Sequence, residues 1–448
     1  MNRTQNNTSR ISRRGFLKGS AAVGAGLLGM PAIVPSRVFG QNAPSNRITI
    51  GCIGVGRMGL DDMRELLGHS DVQIVAVCDV DSKRAANAKK LVEARYAAQM
   101  AAGTYKGCDQ YGDFRKIVAR KDIDAVTIVT PDHWHAIPAI AAAKAGKDIF
   151  LQKPLTLTIE EGRVLSNAVK RYGVIFQVGS QQRSDTNFRH ACELVRNGRI
   201  GKVHTVTVAF GTDPGCGEEP EMPVPPNLDY DFWLGPTPVA PYTEKRVHPQ
   251  ADYGRPGWLR IMAYGHGMIT GWGSHHLDIA QWGLGTEDTG PVEITGKAEY
   301  PKSGLWDVHG DFHIEYMYEN GVKMICTDDK ANPHGIRFDG SDGWVHVKRG
   351  FIDANPKSLL QEKIGPDEIQ LYRSNNHKRN WLDCIKSRAE TVAPVEIGHR
   401  SCTVCLLGSI AMQLGGKKLK WDPKKEKFID DEEANRMLSR PMRQPWRL

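Results

Sequence analysis

Several features that would settle a protein's class quickly are scarce in this sequence. No apolar run is long enough to cross a bilayer as a stable helix, because the one candidate, residues 21–34, is short and broken by glycines and Pro31. The nine cysteines are odd in number and scattered, so they form neither a zinc-ligand pattern nor a dense disulfide framework. Cys402 and Cys405 fall on an apolar helical pattern, which predicts buried thiols. Internal repeats and low-complexity segments are lacking. Acidic residues are missing from the first 40 positions, which carry Arg3, Arg10, Arg13, Arg14, Lys18 and Arg37. Those six charges account for most of the formal +8 and leave +2 for the rest, too little for a nucleic-acid footprint.

What the N-terminus does contain is Ser12-Arg13-Arg14-Gly15-Phe16-Leu17-Lys18 followed by the small-residue apolar run. This is the pattern of a twin-arginine export signal, residues 1–40, with cleavage expected near Gly40. It predicts a periplasmic or extracellular protein with no stable membrane span after cleavage. A chain folded in a reducing cytosol before export fits the cysteine usage.

At 448 residues the remainder is long enough for two domains. From Arg47 short β-branched runs at 48–53, 72–78, 125–129, 149–151 and 174–178 alternate with helical patterns at 58–68, 82–102, 113–119, 134–145 and 159–172. Strand–helix alternation of this kind predicts a parallel sheet, in a domain spanning 46–178. The remainder, 179–448, reads differently: a helix at 187–197, a strand at 203–210, and a Pro/Gly-rich excursion over 211–256 that predicts a covering arm. Alternating strands at 292–298, 312–318, 322–326 and 344–347 then predict an open, mainly antiparallel sheet with one covered face. Helices at 377–386 and 400–414 follow, and a polar tail, 417–448, is expected to wrap a surface.

The chemistry concentrates at the predicted strand ends. Gly54-Val55-Gly56-Arg57-Met58-Gly59 follows a strand and opens a helix, the context required of a dinucleotide fingerprint. Gly54 permits the tight turn, Gly56 lets the backbone approach a pyrophosphate, and Gly59 lets helix and strand pack closely. Arg57 and Met58 lie on the helix N-terminus, whose unpaired N–H groups attract an anion. Asp79 ends the second strand, placed for the adenosine ribose hydroxyls; an acidic residue there repels a 2′-phosphate and favours NAD over NADP, against which Lys83 and Arg84 weigh. The third strand runs into Thr130-Pro131-Asp132-His133-Trp134-His135, of which Thr130, Pro131 and His135 are expected to border the cofactor. The fourth ends in Gln152-Lys153-Pro154, where a lysine of lowered pKa can exchange a proton with a substrate hydroxyl.

Taken together, the fingerprint, Asp79, Thr130-Pro131 with His135, Lys153-Pro154 and the segment 265–278 resemble the glucose-fructose oxidoreductase and inositol dehydrogenase (Gfo/Idh/MocA) family, from about Arg47 to the C-terminus. The resemblance implies a Rossmann dinucleotide-binding domain followed by an α/β domain whose open, mainly antiparallel sheet serves substrate binding and oligomerisation, as a homodimer or homotetramer. It implies Lys153 as the principal catalytic residue and His275 as its partner, with Gln152, Lys153 and Gln182 also near the cofactor. Two departures stand out. The family's motif aspartate is replaced by Gly271, and the acidic residue before the lysine by Gln152. His266, Tyr264 and Asp278 are candidate substitutes for the missing acid. A metal site built from His266, His275 and His276 lacks carboxylates at a supporting spacing, and no metal is expected. Arg183, Trp258, Arg260, Tyr264, His266 and His275 are expected to line the substrate pocket, aromatic faces and guanidinium donors suiting a polyhydroxylated ring.

The function expected is that of an exported NAD(P)-dependent oxidoreductase acting on a hydroxyl carbon of a sugar, glycoside or cyclitol, with NAD carried out tightly bound. Two alternatives stay open. One is an NAD-dependent glycosidase or lyase that oxidises its sugar transiently. The other is a non-catalytic NAD-binding protein, favoured by the missing aspartate at Gly271.

Overall fold

In the computed structural model, residues 47–448 are described, so the twin-arginine segment lies outside the described residues. Two sheets dominate. The first is a six-stranded parallel sheet of β1 (Ile48–Ile53), β2 (Val72–Cys78), β3 (Asp109–Tyr111), β4 (Ala125–Ile128), β5 (Asp148–Leu151) and β6 (Phe176–Val178), in the order β3-β2-β1-β4-β5-β6. Its central strands are apolar on both faces because helices cover both; all four residues of β4 and of β5 are buried. The strand order reverses between β1 and β4, so a crevice opens beyond their C-terminal ends.

The second sheet has nine strands in the order β13-β12-β11-β7-β10-β9-β8-β14-β15. These are β7 (Val203–Phe210), β8 (Glu293–Ala298), β9 (Phe312–Met317), β10 (Lys323–Asp328), β11 (Gly335–Gly340), β12 (Trp344–Lys348), β13 (Phe351–Asn355), β14 (Leu419–Asp422) and β15 (Lys427–Phe428). Only β7 and β10 pair in parallel; the other pairs are antiparallel. Burial alternates residue by residue along β9 and β12, as in a sheet with one face covered. The covering elements include the helix Gly273–Leu284 and the 19-residue helix Val395–Gln413, the latter apolar nearly all round because it is enclosed.

Four sequence expectations are corrected here. The long helix expected over 82–102 is Ser82–Arg95 and Ala97–Ala101, broken at Tyr96, whose hydroxyl bonds the backbone of Val72 and Ile74 in β2. β3, β11 and β13 were not foreseen: β3 is three residues long, and β11 and β13 carry charges between their inward Ile336, Phe338 and Ala354. The tail expected only to wrap a surface carries β14, β15 and a short helix, Glu432–Arg436, because Leu419, Trp421 and Phe428 turn inward within a charged background. The helix His377–Ser387, far along the chain, covers the first sheet rather than the second: Trp381 packs 5.6 Å from Phe150, and Trp381, Leu382 and Ile385 join the core under β1 and β2. All nine cysteines are free, and Cys402 and Cys405 are buried.

Candidate active site

Beyond the C-terminal ends of β1, β2, β4 and β5 lies a cleft of about 490 Å³. It is lined by Gly54, Gly56, Arg57, Met58, Asp79, Thr130, Pro131, Asp132, His135, Gln152 and Lys153 from the first domain, and by Trp258, Gly271, Trp272, His275 and Arg349 from the second.

At the β1 end the three glycines have separable reasons. Gly54 sits at φ +80°, and a Cβ there would lie 2.6 Å from the Val129 carbonyl oxygen. A Cβ on Gly59 would lie 2.1 Å from the Gly54 carbonyl oxygen, whereas one on Gly56 would meet nothing closer than 3.7 Å, leaving the backbone open to a ligand. The helix Arg57–Leu67 starts without a side-chain cap, so its first-turn N–H groups stay available to an anion. Asp79 accepts from the Val55 and Asp81 backbone N–H groups, both at 2.9 Å, and burial raises its pKa. Each carboxylate oxygen retains a lone pair, so ribose hydroxyls can still donate to it. Thr130 contributes a buried Oγ1 with no partner. An uncapped helix end, an open glycine and an orphaned hydroxyl fit a dinucleotide.

Over this end lies the arm 211–256. Asp81 accepts from His248 at 3.0 Å and from Asn227 at 2.9 Å, while Arg84 donates to the carbonyls of Pro249 (2.8 Å) and Asp252 (3.1 Å). Burial opposes the charge of Asp81, but the His248 and Asn227 hydrogen bonds outweigh it and hold the carboxyl at about 2. Nη2 of Arg84 is committed to the arm, while the residue still lines the cleft near Gly56 and its charge reaches Asp79.

At the other end Lys153 donates to the Gly271 carbonyl at 3.1 Å. Burial lowers its pKa, opposed chiefly by the charge of Asp132. Asp132 is 4% exposed, and burial pushes its carboxyl up to about 8, again opposed by Lys153. His275 is buried with its Nδ1 unpartnered; burial and then the charges of Lys153 and Arg349 hold the imidazole well below its usual pKa, so it is neutral. Gln152 donates to Asp62 at 2.9 Å, and Asp62 also accepts from Lys378 at 2.8 Å. A glutamate at 152 would face that carboxylate, so glutamine is the residue that this pocket accepts. His135 is a strut: its ring nitrogens lie 2.7 Å from the Pro154 carbonyl and 2.9 Å from that of Thr130, tying two strand ends together.

Several expected pocket residues are placed elsewhere. Arg183 is 1% exposed and bidentate to Asp278 (2.7 and 2.9 Å), with a further bond to Glu287, so its charge is matched inside the protein. The same pair commits Asp278, which does not substitute for the missing acid. Arg260 bonds Asp213 at 3.0 Å and lies over the Trp306 ring. Tyr264 is buried against Trp233 and His133, and His266 bonds Ser409 and the Leu157 carbonyl; none of these four lines the cleft. Gln182 is also outside the lining, buried with both amide atoms unpartnered. Among the described residues no cluster of His, Cys, Asp or Glu has the geometry of a metal site.

Conversely, Asp132, Trp272, His248 and Arg349 line the cleft without having been singled out as site residues. Asp132 lay within the strand-end segment read as bordering the cofactor, so its signal was present. Arg349 occupies a turn between β12 and β13, far in sequence from every motif, and nothing local marked it.

Residues 48–180 match the family description "Oxidoreductase family, NAD-binding Rossmann fold", and residues 186–448 match "Oxidoreductase family, C-terminal alpha/beta domain". A twin-arginine translocation signal matches residues 10–29. A scyllo-inositol 2-dehydrogenase (NAD(+)) from Bacillus subtilis is 49% identical over 279 residues, 59% of this chain and 68% of that protein. A myo-inositol 2-dehydrogenase from Thermotoga maritima is 30% identical over 181 residues, which span 40% of this chain and only 47% of that protein. In structure the chain is similar to the WlbA dehydrogenase from Bordetella pertussis, solved with NADH and UDP-GlcNAcA, with a TM-score of 0.60 and 17% identity over 84% of this chain and 99% of that one. The chain belongs to the Gfo/Idh/MocA family of NAD-binding oxidoreductases and carries a twin-arginine export signal.

Proposed function

We propose that the protein is a periplasmic or extracellular dehydrogenase that oxidises a hydroxyl carbon of a sugar, glycoside or cyclitol, using NAD retained between turnovers. The observation that carries this reading is the pairing of Lys153, held at 3.1 Å by the Gly271 carbonyl, with the neutral, unpartnered His275 in the same cleft as the glycine fingerprint. When bound, the nicotinamide supplies the acceptor for the hydride that leaves the carbinol carbon. Lys153, its pKa lowered by burial, takes the hydroxyl proton as general base, and His275 hydrogen-bonds the same oxygen and orients it. In the reverse direction the same groups donate to the carbonyl. Asp132, a buried carboxyl lining the same cleft as Lys153, is an acidic group that Gly271 and Gln152 do not supply, which weakens the case for a non-catalytic protein.

Asp79 supports NAD over NADP, and the bonds of Arg84 to the arm weaken the opposing weight of that cation. Retention is supported by the arm, which is tied at Asp81 and Arg84 next to the dinucleotide end. The inositol dehydrogenase relatives and the sugar-nucleotide ligand of the structural neighbour favour polyhydroxylated rings.

The test is to purify the protein without added nucleotide, extract and identify any cofactor, and follow absorbance of the bound nicotinamide while mixing with cyclitols, sugars and glycosides. Reduction by one class identifies a dehydrogenase with a retained cofactor. Failure to bind either NAD(H) or NADP(H) overturns the reading.

A further inference from the structure

The Lys153 end of the cleft holds more positive charge than the protein neutralises. Lys153 and Asp132 oppose one another. Arg255, also lining the cleft, donates to Asp213 Oδ1 at 3.0 Å, but Arg260 donates to the same oxygen at 3.0 Å. Two guanidinium groups on one carboxylate leave one charge in surplus. Arg349 adds a second, because among the described residues it has neither an ion pair nor a hydrogen bond; the one carboxylate whose charge it feels, Asp185, is beyond ion-pair distance.

Arg349 is also held in place. It projects from the turn between β12 and β13, and its guanidinium carbon lies 4.7 Å from the centroid of the Trp272 ring, itself a cleft residue. Stacking on an indole fixes the plane of a guanidinium while leaving its N–H edge free, the arrangement that grips planar or tetrahedral oxyanions. Arg349 lines the same cleft as Lys153 and His275, and its charge acts on both. Arg349 is exposed, so water meets its guanidinium before substrate arrives; an anionic substrate group would replace that water with a charge-assisted pair that a neutral polyol does not offer.

We propose that the substrate carries an anionic group, a carboxylate or a phosphate, and that Arg349 is the residue that reads it. This rests on the dehydrogenase reading and narrows its substrate class to acidic sugars or acidic cyclitol derivatives. Arg349 acts in binding and discrimination; proton transfer stays with Lys153.

The experiment compares matched pairs on the full protein with its cofactor: hexuronates and aldonates in one arm, sugar and inositol phosphates in a second, and the neutral parent compounds in a third. The expected result is a kcat/KM for one acidic arm at least about 100-fold above its neutral parents, expressed mainly in KM and weakened by added salt. Arg349→Met is expected to shrink that ratio by about 10- to 100-fold and Arg349→Lys to restore part of it. The arm that responds identifies the anion. Neutral compounds turned over as well as their acidic partners would overturn the proposal while leaving the dehydrogenase intact, as would an acid-to-neutral ratio unchanged in Arg349→Met. If that variant does not fold, the wild-type comparison decides alone. A cofactor that no polyhydroxylated compound reduces, charged or neutral, would refute the dehydrogenase reading and this one with it.

Discussion

The two ends of the cleft are built on opposite plans. At the β1–β2 end the charged side chains are already paired, and the uncapped helix start is what remains for the ligand: Asp79 is bonded by two backbone N–H groups, Asp81 by His248 and Asn227, and Arg84 by two carbonyls of the arm. At the Lys153 end His275 Nδ1 has no partner and Arg349 stands free on its indole. A site whose groups are already paired is rigid before the ligand arrives and suits a constant cofactor. A site with unpaired groups leaves its bonds to the ligand, and a substrate that offers no partner to the buried His275 Nδ1 leaves that atom unmet.

The largest effect separating the two plans is expected from Lys153→Met. Turnover should fall by about a hundred- to ten-thousand-fold, read as the rate of bound-cofactor reduction, with cofactor content unchanged. Loss of cofactor in that variant would erase the distinction between the ends. Next in size is Asp278→Ala, which strands Arg183 in the interior with Glu287 alone. Denaturant unfolding should show a loss of about 3–5 kcal/mol, the range for breaking a buried ion pair, whereas a true pocket residue would alter KM instead.

A pair of opposite shifts comes third. Ionised Asp132 raises the pKa of Lys153, so Asp132→Asn should let the lysine deprotonate at lower pH and move the acid limb of the kcat/KM profile for oxidation to lower pH by about one pH unit. Gly271→Asp, where a Cβ meets nothing closer than 3.9 Å, should move it to higher pH by a similar amount. Identical profiles in both variants would remove the carboxylate from the proton-transfer scheme. The smallest effect belongs to the arm: His248→Ala should speed cofactor release by roughly 3- to 30-fold in a chase with excess nucleotide. Because Asp81 is held at about 2 against an ordinary 3.8, its contribution to stability is complete above 3.8 and is lost as pH falls through about 2. Release in the wild type should accelerate over that acid window and not on the alkaline side.

The same contrast explains what could be read in advance. Gly54, Gly56 and Gly59 announce themselves because one turn of backbone needs all three, and Lys153 because it ends a strand whose apolar run is visible. Arg183 and Arg260 misled because an arginine near an aromatic reads alike whether its partner is a substrate or, as here, Asp278 and Asp213; the partners lie 95 and 47 residues away. Arg349 was invisible for the converse reason. Its role comes from Trp272, 77 positions earlier by sequence number, and from a hairpin whose second strand is only five residues long and buries only Ala354.

By itself the sequence determined the parallel first sheet, the glycine turn, the strand-end lysine and the mainly antiparallel second sheet, because each depends on local periodicity or on backbone geometry within a few residues. Only the tertiary structure decided which charges were already spent, that the helix His377–Ser387 completes the first core, and which cations remained free in the cleft. Those outcomes depend on pairings between distant segments, where the free energy lies in desolvation and ion-pair geometry that local residue order does not encode.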